Sequence, residues 1–142
     1  PTGSKCYTLG TAISRTGLSA TTTYIVSYWK KSGSVTVNGA AGTAGTSTNG
    51  WTYYQHTIAN PSGGTITVSG AGTIDELRLY PVNAQMTTFT YDPLIGLINQ
   101  CDIRNVINYY EYDGLMRLKT IRDKDRNVLK VFEYGYQQPI TK

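Results

Sequence analysis

The sole histidine, His56, sits in the strand-forming run Trp51-Thr52-Tyr53-Tyr54-Gln55-His56-Thr57-Ile58. A general base needs an acid or nucleophile beside it, and no GxSxG, HExxH or phosphate-loop spacing supplies one. Asp75 and Glu76 are adjacent carboxylates, but successive strand residues point to opposite faces, so they are not expected to act as a pair. Cys6 and Cys101 are the two cysteines, with no CxxC spacing and no second histidine. That argues against a metal centre and leaves both thiols expected free. No catalytic residue, metal or cofactor is expected, and the chain reads as a non-enzyme.

Aromatic rings are the remaining candidates. Trp29, Trp51, Tyr53 and Tyr54 are suited to stacking on the apolar face of a sugar while nearby polar groups select hydroxyls. Trp51 and Tyr53 share a strand face, and Trp51 follows a Gly-rich tract that would place it at an exposed rim. The competing reading puts Trp29 and at least one other ring into the core of a small domain.

The composition limits which elements can position these rings. The chain has 142 residues with 15% charged side chains, below the roughly 25% of an average globular domain. Twelve Tyr stand against two Phe. The net charge of +4 is unevenly spread: five basic and two acidic residues up to position 80, eight and seven after it. The second half mixes its signs, as in Arg122-Asp123-Lys124-Asp125-Arg126, so it presents no one-signed field for nucleic acid. No apolar run is long enough for a membrane span. The opening Pro1-Thr2-Gly3-Ser4 has neither an initiator Met nor a signal-peptide pattern, which suggests a piece of a longer polypeptide.

Two halves differ in grammar, and the expected domains are 1–81 and 82–142. Twelve of the fifteen glycines fall in the first. Short strands are expected there at Tyr24–Trp29, at Ser34–Val37 after a Ser32-Gly33 turn, and at Trp51–Ile58. Two more are expected at Thr65–Val68, ended by Ser69-Gly70-Ala71-Gly72, and at Ile74–Tyr80. Lys5–Leu9 offers a further one. Gly39 to Gly50, an Ala/Gly/Thr/Ser/Asn tract, is expected to be a mobile loop. The fold class is all-β: an antiparallel, jelly-roll-like β-sandwich, followed by β-hairpins.

Those hairpins come from a repeat. Phe89-Thr90-Tyr91-Asp92, Tyr110-Glu111-Tyr112-Asp113 and Phe132-Glu133-Tyr134-Gly135 share an aromatic-x-Tyr core, with tyrosines 21 and 22 residues apart. Leu97 and Leu118 are 21 apart, as are Asp102 and Asp123, and Asn105 precedes Asn127 by 22. Such a period marks stacked two-strand ribbons. Phe89, Tyr91, Tyr110, Tyr112, Phe132 and Tyr134 are expected to stack as a packed spine, and each Asp to hold a turn through its carboxylate.

Tyr-x-Tyr-Asp, Arg117-Leu118 and Asp123-Lys124-Asp125-Arg126-Asn127 resemble the YD repeat of Rhs-type proteins, usually Tyr-x-Tyr-Asp-x-x-Gly-Arg-Leu and then Asp-x-x-Gly-Asn. About residues 87–136 are covered, some two and a half units. Met116 and Arg126 stand where the family usually has Gly, Gly96-Leu97 lacks the Arg, and Gly135 replaces the third Asp. More loosely, Gly17-Leu18 leading into Thr23–Trp29, Gly50-Trp51 and the closing Ile74–Pro81 resemble a carbohydrate-binding-module-like jelly roll. The resemblance implies a non-enzymatic structural or surface-interaction fragment of a large secreted bacterial protein, extracellular or at the cell surface. Its partners would be the rest of the parent polypeptide and a glycan or cell-surface ligand. The alternative is a glycan-binding module on the first half. Open sheet edges offer a route to self-association.

Overall fold

The computed structural model describes residue 2 and residues 5–135; Pro1, Gly3 and Ser4 of the opening, and residues 136–142 of the second expected domain, lie outside the described residues. The chain divides into two compact units, Pro1–Gln85 and Met86–Lys142, a few residues beyond the Pro81 break. Among the described residues every regular element is a strand, apart from a 3-10 turn at Ser62–Gly64.

In the first unit, β1 (Tyr7–Leu9), β2 (Ile13–Arg15), β3 (Tyr24–Val37), β4 (Ala40–Ala41), β5 (Thr43–Thr48), β6 (Trp51–Ile58) and β7 (Ile66–Pro81) join into one sheet. Its order is β1-β7-β3-β6-β5, with β2 also on β7 and β4 on β3, and every pairing is antiparallel.

β3 and β7 overturn the expectation of short strands. Ser32-Gly33 does not turn the chain, and Ser69–Gly72 does not end a strand; the two run paired from Tyr24↔Pro81 to Val37↔Val68. The glycines mark a bend instead. Gly33 lies opposite Gly72 and Val35 opposite Gly70. A β-carbon at Gly33, Gly70 or Gly72 would collide with the carbonyl of Ala71, Ser34 or Ser32 respectively. The bend is sharp enough for the Tyr28 hydroxyl to reach the Val35 carbonyl at 3.3 Å, although a straight strand over that interval would span roughly 23 Å. One sheet thus folds over itself into an antiparallel sandwich. Tyr24, Val26 and Tyr28 from one limb of β3 pack with Val35 and Val37 from the other, and with Leu9, Ile66, Val68 and Ile74.

The Gly39–Gly50 tract is not a loop but the strands β4 and β5. Two Asn-Gly pairs account for this: Asn38-Gly39 (φ 48° and 79°) and Asn49-Gly50 (φ 48° and 77°) adopt the left-handed conformations of two-residue hairpin turns. All β5 side chains are exposed. Backbone pairing to β6, rather than apolar burial, holds this edge strand.

The second unit is a five-stranded antiparallel meander of β8 (Thr87–Asp92), β9 (Gly96–Asp102), β10 (Ile107–Tyr112), β11 (Leu118–Arg122) and β12 (Val128–Val131). Bulges recur with the sequence period: the pairing skips Ile98 in β9 and Lys119 in β11. The register puts Phe89, Tyr91, Tyr110 and Tyr112 on one face. A stacked spine does not form there. The rings occupy alternate strands, so an intervening strand separates them by roughly 10 Å. Phe89 and Tyr91 are 50% and 63% exposed and Tyr134 44%. The buried residues Asn99, Cys101, Ile107 and Thr120 lie on the opposite face.

Candidate functional site

The four rings proposed for sugar stacking divide between two faces of the β3–β6 ladder. Tyr28 pairs with Tyr54 and Trp29 with Tyr53, so Tyr54 faces inward while Trp29, Trp51 and Tyr53 face outward. Tyr54 stacks on Tyr28 at 5.8 Å with a 15° interplanar angle, and Lys30 Nζ lies 4.3 Å from its ring centroid. Trp29 is buried to 4% exposure and meets Tyr53 at 5.5 Å in a tilted contact. Trp51 and Tyr53, each half-buried, remain to offer ring surface, with Gln55 following on the same strand face. The Tyr53 hydroxyl donates to Gln55 Oε1 at 3.5 Å.

Among the described residues no carboxylate pairs with His56. It faces inward on β6, and its Nε2 lies 3.2 Å from the Tyr28 hydroxyl. Because that hydroxyl donates to the Val35 carbonyl, Nε2–H is the donor to the tyrosine oxygen. Burial holds the imidazole below its ordinary value. Burial, with Tyr54 adding to it, pushes Tyr28 up to about 12. This relay ends on a backbone carbonyl at the bend of β3, so it holds the fold and gives a reacting group no partner.

Asp75 and Glu76 depart from the expected alternation. Ser27 pairs with Arg78 but Trp29 with Asp75, so β7 carries one extra residue there. Glu76 sits in this bulge at φ 50°, a conformation that costs a non-glycine residue energy. The bulge lets Glu76 turn to Arg78, which it meets at 2.6 Å with side chains only 7% and 2% exposed. Asp75 and Arg78, both facing the outward side of β3, therefore bracket Glu76 on one surface, and the expectation that the two carboxylates point apart is corrected. Burial raises the Asp75 carboxyl above its ordinary value; the Glu76 N–H, at 2.8 Å from Oδ1, partly offsets this. Trp29 Nε1 is buried nearby with no hydrogen-bond partner among the described residues. Along Ile74–Tyr80 apolar and polar residues do not alternate cleanly, and the extra residue that β7 carries opposite Ser27–Trp29 explains why.

The second unit repeats one loop. Asp102 Oδ1 accepts the N–H groups of Arg104 and Val106 at 2.8 and 2.9 Å. Asp113 does the same for Leu115 and Arg117 at 2.9 and 3.0 Å, and Asp123 for Asp125 and Asn127, both at 2.9 Å. Asp92 holds Leu94 and Ile95 at 2.8 and 3.2 Å. In three loops the residue three after the Asp is left-handed: Asn105 (φ 61°), Met116 (φ 60°) and Arg126 (φ 68°). The loop thus recurs every ten or eleven residues, twice per sequence period, and Asp102 is as much a member as the others.

Side chains reinforce the later loops. Arg117 Nε reaches Asp113 Oδ2 at 2.8 Å, and its guanidinium lies 4.4 Å from the Tyr134 ring centroid. These bonds from Arg117 hold the Asp113 carboxyl below its ordinary range. Asn127 Nδ2 donates to Asp123 Oδ2 at 3.0 Å, the foremost cause of a lowered Asp123. Tyr112 and Tyr134 hydroxyls each donate at 2.8 Å to the carbonyls of Leu97 and Leu118. Cys6 is exposed and Cys101 buried, and neither forms a disulfide among the described residues. No cluster of metal-ligating side chains occurs among the described residues, and no helix there is long and apolar enough to cross a membrane. Comparisons with protein-family models, with curated proteins and with solved structures found nothing that matches this chain.

Proposed function

We propose that this chain is a non-enzymatic structural or surface-interaction fragment of a large secreted bacterial protein of the Rhs/YD-repeat kind. The observation that carries the reading is the recurring aspartate loop. Its left-handed position holds Met116 and Arg126, the two sites where the resembled repeat usually has glycine. A glycine preference has a physical cause there, since glycine alone enters that region without a steric penalty. Each loop closes one hairpin and leaves the sheet able to accept the next, as a modular scaffold requires.

Duplicating residues 103–123 after position 123 tests this. A lengthened sheet should fold, and its denaturant m-value should rise with the added buried surface. An unfolded or unchanged second unit would defeat the scaffold reading.

A second reading, glycan binding on the first unit, is favoured by Trp51 and Tyr53 presenting half-exposed rings on one face beside Gln55. Specific signal on a glycan array that disappears in Trp51→Ala would establish it; silence across the array would leave scaffolding as the unit's role.

A further inference from the structure

The folded sheet of the first unit does not close completely where β2 joins β7. A cleft of about 480 Å3 enters there between its two limbs, lined by Tyr24, Val26, Ile66, Val68, Leu77 and Leu79. That volume lies within the roughly 300–1,000 Å3 of small-molecule sites. Pairing decides which β2 side chains face the cleft. Ile13 lies opposite Val68 and Arg15 opposite Ile66, and both β7 partners belong to the core cluster. Ile13 and Arg15 therefore share the core-facing side of β2. Ser14, between them, turns the other way and meets Thr67 Oγ1 at 2.9 Å.

We propose that this cleft binds a free alkyl carboxylate, its chain among the apolar side chains and its carboxylate on Arg15. Charge selects that ligand. Arg15 is the one charged side chain among the described residues that line the cleft, and it forms no ion pair among the described residues. A guanidinium takes a carboxylate through two parallel hydrogen bonds, and apolar walls beside it weaken screening by water. A cationic amphiphile of equal chain length would meet repulsion at the same place. A neutral sugar would find few polar partners, since the Ser14 hydroxyl is engaged on the far side of β2.

The walls are held before any ligand arrives. Leu18, which also lines the cleft, donates its N–H to the Gly64 carbonyl at 2.9 Å. The Tyr24 hydroxyl accepts the Ser19 N–H at 3.1 Å, which fixes its ring. Little ordering is left to oppose binding. The site is separate from the outward-facing Trp51 and Tyr53, so it depends on neither the scaffold nor the glycan reading. An inward charge on a marginal strand can also serve only to discourage strand pairing, and the two roles part company in solution.

Isothermal titration calorimetry of the full chain tests the proposal with sodium dodecanoate and dodecyltrimethylammonium bromide, each below its micelle-forming concentration. Mildly alkaline pH keeps the carboxyl group ionised. Dodecanoate should bind saturably, one per chain, and the ammonium compound about tenfold or more weakly. Arg15→Gln should remove that preference and Arg15→Glu should invert it. Ile13→Trp, which fills the mouth of the cleft, should weaken both ligands. Arg15 is exposed and Ile13 is 37% exposed, so the melting curves of these variants should match the parent. Absence of saturable binding overturns the proposal, as does equal affinity for the two amphiphiles or dodecanoate binding that Arg15→Glu leaves unchanged. If the parent binds neither amphiphile while Arg15→Gln self-associates, the charge guards β2 against pairing and the proposal falls.

Discussion

The two units solve one problem, keeping a single sheet in register, by opposite means. The first folds its sheet over and buries a continuous cluster around Tyr28, Val26 and Val37, with glycines placed where the two long strands approach most closely. The second fixes each reversal with an aspartate that holds backbone N–H groups, and ties strands together through tyrosine hydroxyls. In the first unit register depends on what is absent, a β-carbon; in the second it depends on what is present, a carboxylate.

The sharpest break in that contrast should come from Gly33→Val. Gly33 has φ 85°, and an added β-carbon would strike the Ala71 carbonyl across the ladder. Both backbone strain and collision oppose it, so a loss of more than about 4 kcal/mol is expected, enough to unfold a marginal domain. Tryptophan fluorescence reports this cleanly, because Trp29 and Trp51 both belong to the first unit. Retained β-sheet signal from the second unit would show that the damage stays local; an intact Trp environment would mean that the bend tolerates a side chain.

Within the second unit, Tyr112→Ala and Tyr91→Ala compare a bonded with an unbonded copy of the same residue. Tyr112 loses half-buried ring surface and its bond to Leu97, and should cost roughly 2–3 kcal/mol and several degrees of melting temperature. Tyr91 is mostly exposed, and its removal should cost under about 1 kcal/mol. Equal effects would mean that the hydroxyl-to-carbonyl bond contributes little.

Part of this architecture was legible from residues alone. The aromatic-x-Tyr period located the hairpins, and Trp51–Ile58 is a strand over the full predicted range. Glycine does not act as punctuation in the long strands. Gly33, Gly70 and Gly72 lie in strand interiors because two backbones meet there, a tertiary cause that local sequence does not display. The Asn-Gly turns at 38–39 and 49–50 were local signals, obscured by the low-complexity tract between them. The Asp75–Glu76–Arg78 cluster depends on a bulge, which breaks the strict alternation of faces along β7. The tyrosine spine failed for a geometric reason: a period of 21 residues advances two strands, and rings two strands apart do not touch.

Acid should separate the units by their carboxylates and imidazole. Burial depresses His56 below the ordinary 6.5, so the unfolded chain takes up that proton first. The first unit therefore loses stability as pH falls from the ordinary value through the folded one. Asp75, raised above 3.8 by burial, works the other way and returns some stability as pH falls through its folded value toward the ordinary one. Asp113 and Asp123 are depressed, chiefly by bonds from Arg117 and Asn127. The stability they contribute is full above 3.8 and is lost as pH falls through their folded values. Melting curves across pH, read by Trp fluorescence for the first unit and by hydrogen exchange for β8–β12, should show the first weakening near pH 6 while the second holds until strongly acid conditions. A His56→Gln variant that weakens over the same near-neutral range would remove the imidazole as the cause.

The smallest expected effect is a gain. Met116 occupies a left-handed position with its side chain 60% exposed, so it contributes strain without compensating burial. Met116→Gly removes a penalty of roughly 1–2 kcal/mol and adds unfolded-chain entropy of about 0.5–1 kcal/mol, leaving a net stabilisation of about 0.5–1 kcal/mol. Arg126 has the same backbone geometry, but its guanidinium lies 3.7 Å from the Tyr109 ring centroid, a contact that glycine would forfeit. Arg126→Gly should therefore be close to neutral. Denaturant midpoints measured at constant m distinguish the two: if both variants gain equally, the arginine–ring contact has no weight, and if neither gains, the aspartate loop holds left-handed residues without strain.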